Sequence, residues 1–437
     1  MRRTRLVRSM EIARSELLRE EVSTTRLDCG LEVCVQRKAG YAKKYALIGT
    51  RYGSLDTKFR RIDTGETVDV PDGLAHFLEH KLFAEESGSI DDVFAELGAY
   101  SNAFTDYTMT AYLFSCVDNF GPCLDTLLDF VMRPHFTEEN VENEKGIIEQ
   151  EIKRDEDSPA WQAMYGMLKG MYQCFPVRLE VAGTVDSIRS IDVDILTRCY
   201  NTFYHPSNMT LLVVGDVDPN EVADRASAHL DDKLHGPVPA VERLYPHEPR
   251  EVGMKRVERR MPVSEPLVCF GFKDNDVGYE GAQLLRKTVC MEMLLYTLIG
   301  RSSALYNELY EAGLLDHTFD WNFDCEKDYS FVIFEGKSNS PDALVDRVCK
   351  GINDSIAAGI DRELFERARR SFIGSALRAF NSLEFIAYNF LAYHFRKMRL
   401  LDRVGVAESI SLDEVMDLGK QLFDPEMLVV SVVNPMQ

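Results

Sequence analysis

The stretch Asp72-Gly73-Leu74-Ala75-His76-Phe77-Leu78-Glu79-His80-Lys81-Leu82-Phe83 constrains this chain more than any other. Apolar residues at 74, 77, 78 and 82 recur at helical spacing, which predicts a helix with one buried face. On that helix positions 76, 79 and 80 are i, i+3 and i+4, so two imidazoles and a carboxylate share a face. Two neutral imidazoles one turn apart can close on a single Zn²⁺. A neighbouring carboxylate that is not a ligand can take a proton from the attacking water. The competing reading is a helix with two ordinary surface histidines. The chain holds nine histidines and no other two stand at i, i+4, which favours the metal.

Two histidines leave such a site one protein ligand short, usually a carboxylate or a third histidine. The segment Glu138–Asp157 is crowded with acidic residues, and helical geometry must choose among them. Glu144 and Glu151 are seven apart and share a face, whereas Glu149 lies about 140° round the helix from Glu144. One of the pair can sit on the metal and the other can orient a histidine. A solvated acidic helix is the alternative, because most charge runs are solvated faces.

A chain of 437 residues is too long for one ordinary core. The four prolines of 234–253 (LHGPVPAVERLYPHEPREVG), without periodicity, mark a linker between an N-terminal domain at 1–233 and a C-terminal domain at 254–437. Strands are expected at 24–38, 45–52, 100–104, 108–117 and 211–214. Helices follow at 90–97, 119–131, 138–155, 160–175 and 190–204. After the linker the pattern returns as strands at 254–273, helices at 282–297 and 303–313, strands at 317–335, helices to about 421 and a last strand. Each half closes alike: Phe203-Tyr204-His205-Pro206-Ser207-Asn208-Met209 leads into Leu211–Gly215, and Phe423-Asp424-Pro425-Glu426-Met427 into Leu428–Val433. Only the first half carries the His-x-x-Glu-His stretch.

A net charge of -21 argues against nucleic acid as the main partner, and no apolar run approaches a membrane span. Ten scattered cysteines without a C-x-x-C pair read as reduced thiols of a cytoplasmic protein. The arginine-rich start, MRRTRLVRSMEIARSELLREEV, lacks the apolar core of a signal peptide and is expected to form a surface helix.

The order His-x-x-Glu-His is that of the inverzincins. Over nearly its whole length the sequence resembles the pitrilysin/insulinase family of zinc peptidases, most closely bacterial two-domain members related to the mitochondrial processing peptidase beta subunit. His76-Phe77-Leu78-Glu79-His80 looks like the family's metal motif. Glu144-Lys145-Gly146-Ile147-Ile148-Glu149-Gln150-Glu151 resembles its Glu-x6-Glu segment. Ser101-Asn102-Ala103-Phe104-Thr105 resembles its Asn-Ala-x-Thr edge strand, and Pro176–Gly183 and Tyr204–Met209 are similar to one bacterial branch.

That resemblance implies an α+β fold of two homologous domains, each an antiparallel sheet with helices packed on one face, together half of a clamshell around a chamber. It implies one Zn²⁺ per chain on His76, His80 and Glu151, Glu79 as general acid–base, and Glu144 as an accompanying catalytic acidic residue. Ser101, Asn102, Ala103, Phe104 and Thr105 would bind an extended peptide substrate by strand addition. Apart from the resemblance, the acidic Glu85 and Glu86 just beyond the metal helix read either as a preference for basic substrates or, as such pairs usually do, as a solvated turn. One departure stands out. The family's Arg and Tyr, spaced seven apart in the second domain, should fall in Ala304–Leu315, yet Tyr310 stands at the Arg position and no Tyr follows seven later. The expected partner is therefore a paralogous subunit supplying the Arg/Tyr pair, or a second copy in a homodimer. The expected activity is a zinc-dependent endopeptidase on peptides or small unfolded proteins. The alternative is a non-catalytic or accessory peptide-binding or assembly factor on the same fold.

Overall fold

The computed structural model describes residues 9–85, 88–230 and 240–436. They form two compact units that interleave along the chain. The first comprises residues up to Ile152, Glu180–Tyr245 and Phe380–Phe395. The second comprises Lys153–Leu179, Pro246–Ala379 and Arg396 onward. Each half of the sequence thus gives one segment to the unit built mainly from the other half.

The first unit is built on a seven-stranded sheet. Its order is Met10–Ser15, Glu20–Arg26, Glu32–Arg37, Met209–Gly215, Lys44–Thr50, Thr110–Cys116, Tyr100–Thr105. All neighbours are antiparallel except Glu32–Arg37 with Met209–Gly215. The sheet is therefore mixed, because Met209–Gly215, its last strand in chain order, enters between Glu32–Arg37 and Lys44–Thr50. That position is central, and every residue of Met209–Gly215 is buried, which explains its unbroken apolar run. One face of the sheet meets the main core, where Ala46, Ile48, Leu211 and Val213 join Leu124, Leu127 and Leu128 of the helix Phe120–Met132. The other face takes the helix Leu383–Phe395, which approaches so closely that a Cβ at Gly49 would lie 2.4 Å from Leu391 Cδ2. Helices thus cover both faces rather than one.

The second unit repeats this order over five strands: Arg256–Met261, Leu428–Pro435, Leu267–Lys273, Ser330–Lys337, Asp320–Cys325. Again the closing strand runs parallel to the opening one and antiparallel to the next. Here the visiting helix is Pro159–Met171, whose Gly166 and Gly170 lie against Ser431 and Val429.

The amino-terminal helix expected from sequence is absent among the described residues. Met10–Ser15 and Glu20–Arg26 form a β-hairpin instead, with Arg19 in the left-handed region at φ 53° and Arg14 paired across it to Glu21 at 3.1 Å. Helix-favouring residues gave way to strand pairing: Ser23–Arg26 pair with Glu32–Val35, and Val22 beside them is buried. Residues 1–8 of that segment, the acidic side chains at 85 and 86, and 234–239 of the expected linker lie outside the described residues. From the rest of the linker, Val241–Arg243 adds a strand to Lys58–Arg61. Among the described residues no helix is long and apolar enough to cross a membrane. All ten cysteines are free thiols, eight of them buried.

Candidate metal centre

The helix carrying the motif runs from Leu74 to Leu82 and buries Leu74, Ala75, Phe77, Leu78, Lys81 and Leu82. Its start is clamped by backbone contact. Gly73 adopts φ 87°, and a Cβ there would come 2.4 Å from Ala182 O; Gly183 adopts φ 76°, and a Cβ there would come 2.4 Å from Asp72 O. Only glycine fits either place. Ser187 Oγ completes the clamp by donating to Asp72 O at 2.8 Å. The first turn is thereby fixed three residues before His76.

The facing helix, Glu138–Glu156, begins at a reciprocal cap in which Thr137 Oγ1 accepts from Asn140 N at 3.1 Å and Asn140 Oδ1 from Thr137 N at 3.0 Å. Its buried stripe is Val141, Glu144, Ile148 and Ile152. Glu149 lies off that stripe, 3.3 Å from Arg189. Glu151 faces the motif, with Oε2 3.3 Å from His80 Nε2 and 3.7 Å from His76 Nε2. One donor atom from each of His76, His80 and Glu151 lies within 4.8 Å of the others. Two imidazole nitrogens and a carboxylate oxygen converging in this way are a donor set that suits zinc and leaves a coordination position open. The structure thus gathers the three predicted ligands at one point.

Glu144 occupies the other side of His80. Its Oε1 is 3.1 Å from His80 Nδ1 and its Oε2 3.4 Å from Lys81 Nζ. Burial pushes His80 down, but the carboxylates of Glu144 and Glu151 outweigh it and raise the imidazole to about 9. The same two anions would attract a metal cation. Burial opposes the charge on Glu144 as well, yet His80 and Lys81 hold its carboxyl below the ordinary range. The sequence reading overlooked Lys81. The clue was present, because position 81 falls on the stripe set by 74, 77 and 78, where an apolar residue is expected.

Glu79 accepts a hydrogen bond from Thr105 Oγ1 at 2.6 Å through its Oε2. Burial raises Glu79 from its ordinary value to about 6, with the Thr105 hydroxyl pulling against that rise. A carboxylate so placed is a base poised near neutral pH. The strand Tyr100–Thr105 is an edge of its sheet, paired only to Thr110–Cys116 among the described residues. Ala103 turns its N–H to Asn102 Oδ1 at 2.9 Å, and Ser101 Oγ donates to Asp91 Oδ1 at 2.6 Å. A cleft of about 580 Å³ opens between this strand and the metal helix, walled by Phe83, Ser101, Asn102, Ala103 and Ile147 beside Glu79 and His80. Phe104 points away from it, toward the ring of Tyr388 at 5.2 Å. Of the five residues expected to meet substrate, three line the cleft, Thr105 holds Glu79, and Phe104 serves the opposite face.

In the second unit the helix Ala304–Glu311 exposes Tyr310, whose ring stacks on Tyr306 at 6.4 Å. No guanidinium stands at that position.

Comparison with known proteins agrees with this arrangement. A family profile described as Insulinase (Peptidase family M16) matches residues 61–185, and one described as Peptidase M16 inactive domain matches 190–372. The chain is 41% identical to "Uncharacterized zinc protease YmfH" of Bacillus subtilis, covering 96% of this chain and 98% of that protein. The crystal structure of a putative M16-like peptidase from Alicyclobacillus acidocaldarius superposes with a TM-score of 0.91 at 35% identity, covering 99% of this chain and 100% of that one. More distantly, the chain is 25% identical to "Probable mitochondrial-processing peptidase subunit beta" of Arabidopsis thaliana, over 64% of this chain and 50% of that protein.

Proposed function

The chain belongs to the insulinase (M16) family of zinc proteases, and on that premise we propose that it is an endopeptidase for extended peptides or small unfolded proteins, acting as the metal-bearing subunit of a two-subunit enzyme. The observation that carries this reading is the convergence of His76, His80 and Glu151 beside a cleft bounded by the open strand Tyr100–Thr105. Zinc held by those three residues supplies Lewis acidity toward a peptide carbonyl and a water. The unpaired edge can hold a substrate backbone by strand addition whatever its side chains, with Asn102 releasing the N–H of Ala103. Thr105 occupies Glu79 Oε2, which leaves Oε1 to take the proton of the attacking water and return it to the leaving amine. Glu144 keeps His80 turned so that Nε2 faces Glu151. A scaffold with a purely structural zinc would need closed coordination and has no use for a spare base beside the metal, whereas an accessory peptide binder would use the same edge strand with little turnover.

Tyr310 supports a paralogous second subunit bearing the Arg/Tyr pair; a second copy of this chain, the other arrangement considered, would bring Tyr310 again and leave the pair missing. A single comparison tests both parts of the reading: zinc content and peptide cleavage of wild type and Glu79→Gln, each with and without the companion subunit. We expect zinc in all four, and cleavage only by wild type with its companion. Vigorous cleavage by the isolated chain would remove the paralogous partner, and if that active chain is monomeric by light scattering it would remove the two-subunit part altogether. Undiminished cleavage by Glu79→Gln would remove the catalytic part.

A further inference from the structure

Lys81 is a buried charge that the chemistry above leaves without a task. Its side chain is 1% exposed, on a helix face otherwise made of Leu74, Phe77, Leu78 and Leu82. Burying an ammonium there is costly unless the charge is paired. Its partner is Glu144 Oε2 at 3.4 Å, while Glu144 Oε1 meets His80 Nδ1 at 3.1 Å and His80 Nε2 meets Glu151 Oε2 at 3.3 Å. A continuous line of contacts thus runs from the helix interior to the donor cluster. We propose that Lys81 is a positioning residue of the metal centre: it anchors Glu144 by one oxygen so that the other fixes the His80 ring, and with it the direction of Nε2.

Geometry and charge both support this. A carboxylate held at a single oxygen can swing about its own axis; held at both, its plane is set, and so is the imidazole bonded to it. Glu144 itself lies on the buried stripe of its helix with Val141, Ile148 and Ile152, where an oxygen left without a partner is costly. Glu79, Glu144 and Glu151 bring three negative charges into one partly buried cluster. A divalent cation balances two of them, and Lys81 balances the third. A methionine at 81 would match the lysine's length and its apolar neighbours Leu74, Phe77, Leu78 and Leu82 but would offer Glu144 Oε2 no partner, so apolar packing alone does not account for the lysine.

The inference rests on the zinc reading above, and the experiment separates the two. Zinc affinity of the full chain is measured by competition with a chromogenic chelator for wild type, Lys81→Met, Glu144→Gln and the double variant, together with the visible spectrum of each cobalt-loaded form. Each single variant should weaken zinc binding roughly ten- to hundredfold, as loss of such outer contacts does, and should alter the cobalt bands in the same way. The double variant should bind no more weakly than the weaker single one, since both changes remove one anchor. Should Lys81→Met fail to fold, the double variant buries no unpaired charge and is compared with Glu144→Gln, which it should equal. A merely structural lysine would lower the melting temperature of the metal-free protein while leaving affinity and cobalt spectrum unchanged. Zinc affinity of folded Lys81→Met within twofold of wild type, or penalties that multiply in the double variant, would overturn the proposal. Wild type without zinc affinity would overturn the metal reading first and this one with it.

Discussion

Thr105→Val replaces a hydroxyl by a methyl of nearly the same shape and removes the donor that Glu79 Oε2 meets at 2.6 Å. A hydrogen bond to a charged acceptor contributes about 1.5–3 kcal/mol. At about 1.4 kcal/mol per tenfold, kcat/KM should fall roughly ten- to hundredfold if the bond orients the base in the transition state. The pH profile should shift with it. Burial raises Glu79 to about 6 and the Thr105 hydroxyl opposes that rise, so without the hydroxyl the carboxyl holds its proton to still higher pH. The base is then neutralised over a wider acid range, and the acid limb of kcat/KM should move toward higher pH.

The assay is hydrolysis of an internally quenched peptide by wild type, Thr105→Val and Thr105→Ser, each with the companion subunit and with zinc content verified. Thr105→Ser keeps the donor and should stay near wild type. The outcome also decides between two roles. A residue that acts only as part of the substrate-binding strand would raise KM and leave kcat and the acid limb in place. That result would refute the assignment of Thr105 to Glu79.

Gly73→Ala forces a side chain into a left-handed conformation, which costs roughly 1–2 kcal/mol, and drives its Cβ to 2.4 Å from Ala182 O. We expect a loss of at least about 2 kcal/mol in chemical denaturation, with weakened zinc binding because the clamp sits three residues before His76. Glu248 accepts from the backbone N–H groups of Gln173, Cys174 and Phe175 and from Lys273 Nζ, a lysine whose side chain is 2% exposed. Breaking a buried pair leaves a charge uncompensated, so Glu248→Gln should destabilise the second unit by about 3–5 kcal/mol in urea melts. Burial opposes the charge on Glu248, but Lys273 and the three N–H groups hold its carboxyl below the usual range. Its contribution is therefore present above the ordinary carboxylate pKa and lost as pH falls below it. The variant should show a flatter acid limb of stability than wild type.

How much of this could be read from the sequence differs by element, for physical reasons. His76, Glu79 and His80 were legible because one helix sets their spacing and local geometry decides which face they share. Glu144 and Glu151 were legible as a pair, and Glu149 could be set aside, for the same reason. The amino-terminal hairpin was not, since helix-favouring residues fill Met10–Ser15 and its connection carries no Gly, Asn or Pro to mark a turn, Arg19 taking the left-handed position instead. Nor was the exchange of Pro159–Met171 and Leu383–Phe395 between units. Each reads as an ordinary helix, and the recipient strand shows its role only in residues such as Gly49, made small by the helix that lies on it.

Thr105 and Lys81 show where pattern reading stops short of chemistry. Thr105 belongs to an edge strand in every sense the sequence offers, yet its hydroxyl reaches across to the metal helix, because Thr110–Cys116 sets that strand in register beside it. Lys81 breaks the apolar stripe at one position, and the break makes sense only once Glu144 is seen to need a second partner. A buried polar residue at a core position of a helix that also carries a metal motif points to an electrostatic debt nearby. Here Glu79 and Glu144 stand beside a donor set that already contains Glu151, and buried Lys81, one residue from His80, offsets what a divalent cation cannot.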